Sequence, residues 1–244
     1  MSAVEHTISP LGSQPIAIGP SERMLAFEGG QSHSLKRFLA QVRGLAEALP
    51  AGRHAVNLCD DRYRFLVAFC AVALRGQITL LPTSRAPLVV TDVLDAYADS
   101  YTLGDGPLSP EPPRYWQMPQ VLPELDGLVP TIRDDAVVAI GFTSGSTGAP
   151  TANAKTWAGF RTSTAQNLSA LHDLWPFGAL PGVVATVPPQ HMYGMELSVL
   201  LPLIGPTAVH AARPFFPAYV ARALAEIPEP RLPVTPPVPL RALV

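Results

Sequence analysis

The sequence predicts an α/β protein whose parallel strands are flanked by helices. Three observations predict it. Strand-like and helix-like stretches alternate through the first half of the chain. In the second half an apolar strand runs directly into a Gly/Ser/Thr loop and then a helix. The composition is that of a chain able to bury a core, 48% hydrophobic with only 15% charged residues among 244.

Residues 1–31 are polar and rich in Gly and Pro, with one short apolar stretch from Met24 to Phe27. A loose terminus with a short hairpin is expected there. Leu35, Phe38, Leu39, Val42, Ala46 and Leu49 then recur at three- and four-residue steps, which places them on one helix face. Ser32 or Ser34 can cap this helix, and Pro50 stops it.

Residues 54–58 form a short apolar strand, followed by Asp60 and Asp61. Paired carboxylates suit acid/base chemistry. Alternatively, Asp60 caps the next helix and Asp61 sits in its first turn, where negative charge meets the positive helix end. That helix carries Leu66, Phe69, Cys70 and Ala73 on one face and ends at Gly76. A strand over 77–81, a helix over 88–98 (Val90, Val93, Leu94 and Tyr97 on one side) and a strand over 100–103 complete right-handed βαβ units.

Residues 104–130 hold several prolines and no sustained period, and read as a connection pinned by Tyr115 and Trp116. The second half predicts a strand over 136–142, a loop over 143–150 and a helix over 158–174. Further on come a strand over 182–187, an apolar helix over 195–203, a strand over 207–210, a helix over 218–227 and a strand-like Leu-Pro-Val-Thr. The expected organisation is a loose segment 1–31, a first α/β subdomain 32–118, a connection 119–135 and a second α/β subdomain 136–244.

Composition excludes several functions. Seventeen basic residues against nineteen acidic leave a net charge of -2, so neither a basic nucleic-acid footprint nor an acidic tail is expected. Cys59 and Cys70 form no C-x-x-C pair and no Cys/His cluster, which argues against zinc and against a disulfide framework. The N-terminal stretch lacks the features of a secretory signal, and the longest apolar run is too short to span a bilayer. The expectation is a cytoplasmic protein without a membrane span.

The loop Thr143-Ser144-Gly145-Ser146-Thr147-Gly148-Ala149-Pro150 carries the chemistry. Its glycines permit positive φ, so consecutive N–H groups can converge on one concavity, and its hydroxyls add donors around the rim. A polyphosphate needs such donors; a plain surface turn uses the same residues. The Walker loop, the G-x-S-x-G elbow and the G-x-G-x-x-G fingerprint are all absent from the chain.

Phe-Thr-Ser-Gly-Ser-Thr-Gly-x-Pro strongly resembles the phosphate loop of the adenylate-forming (AMP-binding) superfamily: acyl- and aryl-CoA synthetases, luciferases and adenylation domains of peptide synthetases. The resemblance implies that Thr143, Ser144, Gly145, Ser146, Thr147 and Gly148 hold the β- and γ-phosphates of ATP. The family usually has Lys directly after the Pro, where this chain has Thr151. Lys155, one of only two lysines, could supply that cation, or could be a surface residue. His191-Met192-Tyr193-Gly194 resembles the family's P-x-x-H-x-x-G segment beside the acyl pocket. His191, Tyr193 and Gly194 are thereby implied as pocket residues; a helix-start or core role for His191 stays open. Residues 73–87 resemble a further stretch of the family, and the resemblance runs over roughly residues 33–244.

The implied fold is the N-terminal portion of the family's large domain, with mixed, mostly parallel sheets flanked by helices, truncated at its C-terminal side. The implied reaction joins a carboxylic acid to a thiol with ATP and Mg²⁺, the thiol being coenzyme A or a phosphopantetheine carrier. Implied partners are the acid, an acyl carrier protein, or a separate chain bearing the C-terminal half. The family's Tyr-Gly-x-Thr-Glu motif, which supplies a Mg²⁺ ligand, its Thr-Gly-Asp ribose motif and its C-terminal catalytic Lys do not occur in the 244 residues. The isolated chain is therefore expected to have little or no ligase activity. The alternatives are a non-catalytic nucleotide-binding remnant, half of a split synthetase, or an unrelated phosphate-binding α/β protein.

Overall fold

The computed structural model describes residues 12–143, 151–174, 178–227 and 229–236. The described residues begin with β1 (Ser13–Pro15), β2 (Met24–Glu28) and β3 (Gln31–Ser34), then α1 (Leu35–Ala48). The alternation expected next is present: β4 (His54–Asn57), α2 (Arg62–Leu74), β5 (Ile78–Leu81), α3 (Pro87–Ala96) and β6 (Ser100–Gly104). Short strands β7 (Tyr115–Gln117) and β8 (Thr131–Arg133) lead to β9 (Val137–Thr143), β10 (Thr151–Thr156) and α4 (Trp157–Leu171). The rest is β11 (Gly182–Ala185), α5 (Met192–Met195), a π-helical turn (Glu196–Leu200), α6 (Leu201–Ile204), β12 (Ala208–His210), α7 (Pro217–Ala225) and β13 (Arg231–Val234).

Two larger sheets result, both mostly parallel and flanked by helices, as expected. One has the order β10-β9-β5-β4-β6-β7 and is antiparallel only between β10 and β9. The other has the order β13-β11-β12-β2-β3 and is antiparallel only between β2 and β3. A small antiparallel pair, β1-β8, is separate.

Capping follows the sequence closely. Ser34 caps α1 by accepting from the Arg37 N–H. At the Asp60–Asp61 pair the capping alternative holds, shifted by one residue. Asp61 is the N-cap of α2, accepting from the Arg64 N–H at 2.7 Å. Asp60 is exposed and pairs with Arg85. Helix α2 is buried all round rather than on one face, because it packs against β4 and β5 of one sheet and β12 of the other.

Three features differ from expectation. The segment around Met24 to Phe27 is not loose: Leu25, Ala26 and Phe27 are buried, and β2 runs parallel to β12. The short hairpin expected here is present: β2 turns into β3 through Gly29 and Gly30, whose φ values of 58° and 77° are the left-handed geometry a two-residue hairpin needs. Residues 1–11 lie outside the described residues. Second, β9 joins the first sheet beside β5, so the strands do not sort into two sheets at residues 119–135. Third, β10 is an additional strand whose Thr-Ala-Asn-Ala-Lys-Thr sequence gives no strand signal. It is an edge strand, where burial imposes no apolar pattern.

Candidate functional site

The candidate phosphate loop is carried between β9 and β10. Thr143 closes β9, is exposed, and stands opposite Thr151 at the hairpin's mouth. Ser144, Gly145, Ser146, Thr147 and Gly148 lie outside the described residues. Side chains alternate along strands, so Ala139, Gly141 and Thr143 share one face with their cross-strand partners Lys155, Asn153 and Thr151. On the other face Ile140 and Phe142 pack against the apolar cluster of Val56, Leu80 and Leu94.

Gly141 brings the second motif to this face. A Cβ built there would lie 3.5 Å from the Met192 Sδ, so the start of α5 rests directly over β9. Two stretches some fifty positions apart in sequence thus converge.

Lys155 stands opposite Ala139 and is half-buried. It sits four residues inside the hairpin from Thr151, about 13 Å along the strand. Its charge acts on Glu196, the first residue of the π turn. Burial raises the Glu196 pKa; a Ser163 hydroxyl donating to both carboxylate oxygens at 2.9 Å and the Lys155 charge oppose that rise. Asn167 Nδ2 also donates, at 3.3 Å.

His191 occupies the N-cap of α5 without a side-chain capping bond and is exposed, as is Tyr193. The open helix-start role holds for its backbone. Its carbonyl accepts from the Met195 N–H at 2.7 Å. Both side chains line a cavity of about 360 Å³ with Thr186, Val187, Pro188, Phe215 and Pro236. Gly194 does not line it. A Cβ at Gly194 would lie 2.0 Å from the Pro188 carbonyl oxygen, so this glycine lets the helix press against the turn after β11.

Arg62, which the sequence reading passed over, organises the same turn. Its side chain is fully buried at the start of α2. Nη2 donates to the carbonyls of Ala185 at 3.0 Å and Val187 at 2.9 Å, and Nη1 donates to the Ser198 hydroxyl. Ser198 in turn donates to the Gly194 carbonyl at 2.5 Å. Burial without a carboxylate partner lowers the guanidinium pKa to about 9. The available signal was an arginine at the head of an otherwise apolar helix.

The arrangement brings Thr143, Thr151 and Lys155 to one face of a β-hairpin, with Met192, between the cavity-lining His191 and Tyr193, resting over that face at Gly141. It lies near the carboxyl ends of parallel strands, where open α/β sheets bind ligands. Among the described residues no group of three or more His, Cys, Asp or Glu side chains could hold a metal ion. No helix among them is long and apolar enough to cross a membrane.

No family model and no curated protein matches the chain. Solved structures do. A malonyl-CoA ligase in a ternary product complex with methylmalonyl-CoA and AMP is similar with a TM-score of 0.66 and 25% identity, over 86% of this chain and 45% of that one. The o-succinylbenzoate coenzyme A synthetase of Bacillus subtilis, in complex with ATP and magnesium ion, matches with a TM-score of 0.67 and 16% identity, over 88% and 61%. An adenylation domain of a keto acid-selecting NRPS module, bound to keto acyl adenylate, matches with a TM-score of 0.67 and 14% identity, over 84% and 42%. The chain thus spans about half the length of the solved chains it matches. Its fold is that of the N-terminal large-domain portion of the adenylate-forming synthetases.

Proposed function

We propose, from the fold shared with adenylate-forming synthetases, that this chain supplies the ATP-phosphate and acid-binding part of an ATP-dependent carboxylic acid:thiol ligase. In that reaction a carboxylate oxygen attacks the α-phosphorus of ATP, the bond to the β-phosphate bridge breaks, and pyrophosphate leaves. The thiol of coenzyme A or of a phosphopantetheine carrier then displaces AMP from the acyl carbon. Thr143, Ser144, Gly145, Ser146, Thr147 and Gly148 would cradle the leaving phosphates through backbone and hydroxyl donors. Lys155, on the same face of the hairpin, would add the positive charge that Thr151 does not. His191 and Tyr193 would border the acyl group, while Gly194 holds their helix in place.

This reading is supported by the fold shared with CoA synthetases, by the Thr-Ser-Gly-Ser-Thr-Gly sequence that follows β9 and precedes its hairpin partner β10, and by α5 resting over β9. Within these 244 residues the adenine- and ribose-side motifs are absent, so the chain alone would bind ATP without turning it over. That absence favours a second reading, a nucleotide-binding module that is non-catalytic or works with a partner chain. ATP–pyrophosphate exchange on the purified chain across a panel of carboxylic acids tests both. Binding without exchange is expected; robust exchange would remove the inactivity claim, and loss of ATP binding would remove both readings.

A further inference from the structure

A buried histidine outside the proposed chemistry lies where β12, α7 and the β2–β3 turn meet. His210 ends β12, is only 4% exposed, and sets its ring edge to face against Phe27 of β2 at 5.3 Å. Each ring nitrogen faces an acceptor. Nδ1 lies 3.3 Å from the Ala212 carbonyl oxygen. Nε2 has no hydrogen-bond partner among the described residues and lies 3.4 Å from Glu226 Oε2. Glu226 is the C-cap of α7, and the same Oε2 accepts the Gly29 N–H at 2.6 Å in the β2–β3 turn. One carboxylate thus joins the end of the helix, the end of the strand and the hairpin turn.

Imidazole chemistry makes this geometry sensitive to protons. The neutral ring carries one N–H, so it donates to the Ala212 carbonyl or to the Glu226 carboxylate, and its other nitrogen turns a lone pair toward an oxygen. The doubly protonated ring donates to both, and the contact with Glu226 becomes charge-assisted. Charged and titratable groups face this ring from each neighbouring element: Glu28 at the end of β2, Arg213 after β12, Tyr219 and Arg222 on α7, and Glu226 at its C-cap. Among the described residues only Glu226 is within ion-pair distance of it. The apolar anchor of α7 is modest: Val220, Ala223 and Ile227 rest on Phe27, Val184 and Ala208 in a small cluster apart from the main core. A polar tie at the end of such a helix carries a large share of its attachment.

We infer that His210 and Glu226 form a proton-operated clasp between α7 and the β2–β3 turn, closed when the imidazole carries two protons and released when it carries one. The stabilisation it gives is fully present below the ordinary imidazole value of about 6.5 and is lost as the pH rises past the point where the folded ring gives up its second proton. Helix α7 follows directly on Phe215 and Phe216, and Phe215 also borders the cavity of His191 and Tyr193. Acidification therefore firms one wall of that cavity, and proton loss frees it. That this wall serves an acyl group rests on the ligase reading; the clasp itself does not.

A double-mutant cycle on the 244-residue chain tests the clasp. The parent, His210→Gln, Glu226→Gln and the double variant are unfolded in urea at about pH 5.5 and about pH 8, on either side of the imidazole range. Asp61 is common to all of these chains and cancels in the cycle. At the lower pH the two substitutions should be coupled by about fivefold or more in the folding equilibrium constant, and at the higher pH by about twofold or less. Equal coupling at both pH values, or none at either, would overturn the clasp. Because His210 is buried, a second measurement uses only the parent and Glu226→Gln, which keeps an acceptor for the Gly29 N–H and removes the charge. Nitrogen-15 NMR of the folded parent should show both ring nitrogens protonated at the lower pH. Hydrogen exchange of the Gly29 and α7 amides, corrected for its intrinsic pH dependence, should slow severalfold on acidification in the parent and not in Glu226→Gln. A ring that keeps one proton at the lower pH, or protection that is the same at both pH values, would overturn the inference. None of these readouts uses ATP, so their failure leaves the ligase reading standing, and failure of ATP binding leaves the clasp.

Discussion

Gly194→Ala would place a methyl carbon 2.0 Å from the Pro188 carbonyl oxygen, with Val187 Cγ2 at 3.3 Å on the same side. An ordinary carbon–oxygen contact needs well over 3 Å, so the backbone of α5 or of the turn after β11 must move by about 1 Å or more. Neither can move freely. The turn is held by the Arg62 guanidinium at Ala185 and Val187, and the helix by Ser198 on the Gly194 carbonyl. Overpacking against a fixed backbone costs about 2–3 kcal/mol. At about 2–4 °C per kcal/mol for a chain of this size, the melting midpoint should fall by about 4–12 °C. Differential scanning fluorimetry and urea titration both read this. Gly106→Ala is the control, because a Cβ there meets nothing within 4 Å, and it should stay within about 0.5 kcal/mol of the parent. A Gly194→Ala midpoint within a degree of the parent would refute the close-packing argument for this motif.

Arg62→Ala should destabilise the chain by about 3 kcal/mol in urea, since it strands the buried carbonyls of Ala185 and Val187 without their donor. Asp61, whose pKa is raised to about 6 chiefly by burial, favours the protonated form in the folded state. Stability should therefore rise by about 2–3 kcal/mol as pH falls from 6 towards 4, and be lower above pH 6. Asp61→Asn keeps the cap, should be more stable at pH 7, and should lose that slope; an unchanged slope in urea melts at several pH values would exclude Asp61 as its source. Lys155→Ala should weaken ATP binding by calorimetry about threefold to tenfold, and an unchanged affinity would return Lys155 to a surface role.

The βαβ alternation was legible because its signals are local. The α1 stripe and the Ser34 cap each follow from a few neighbouring residues. What was hidden is non-local or polar. Nothing near Met24 says that β2 pairs with β12, because the partner lies some 180 positions away. Strand β10 carries no apolar alternation, since as an edge strand it has no buried face to pattern. Helix α2 reads as amphipathic until both sheets are in place around it. The loop motif and the His191 segment were legible as resemblances. Their convergence through Gly141 and Met192, the packing role of Gly194 and the Arg62 latch needed coordinates.

The most direct test of the central claim is a thermal melt of the purified chain with and without millimolar MgATP. A ligand that binds only the folded state raises stability by about 2.7 kcal/mol at a hundredfold excess over its dissociation constant. For a chain of this size that is a shift of about 5–10 °C. The account predicts a cooperative transition that moves upward with ATP and stays put when Gly145 and Gly148 are both replaced by proline. An unshifted transition in the parent chain at several millimolar MgATP would contradict it.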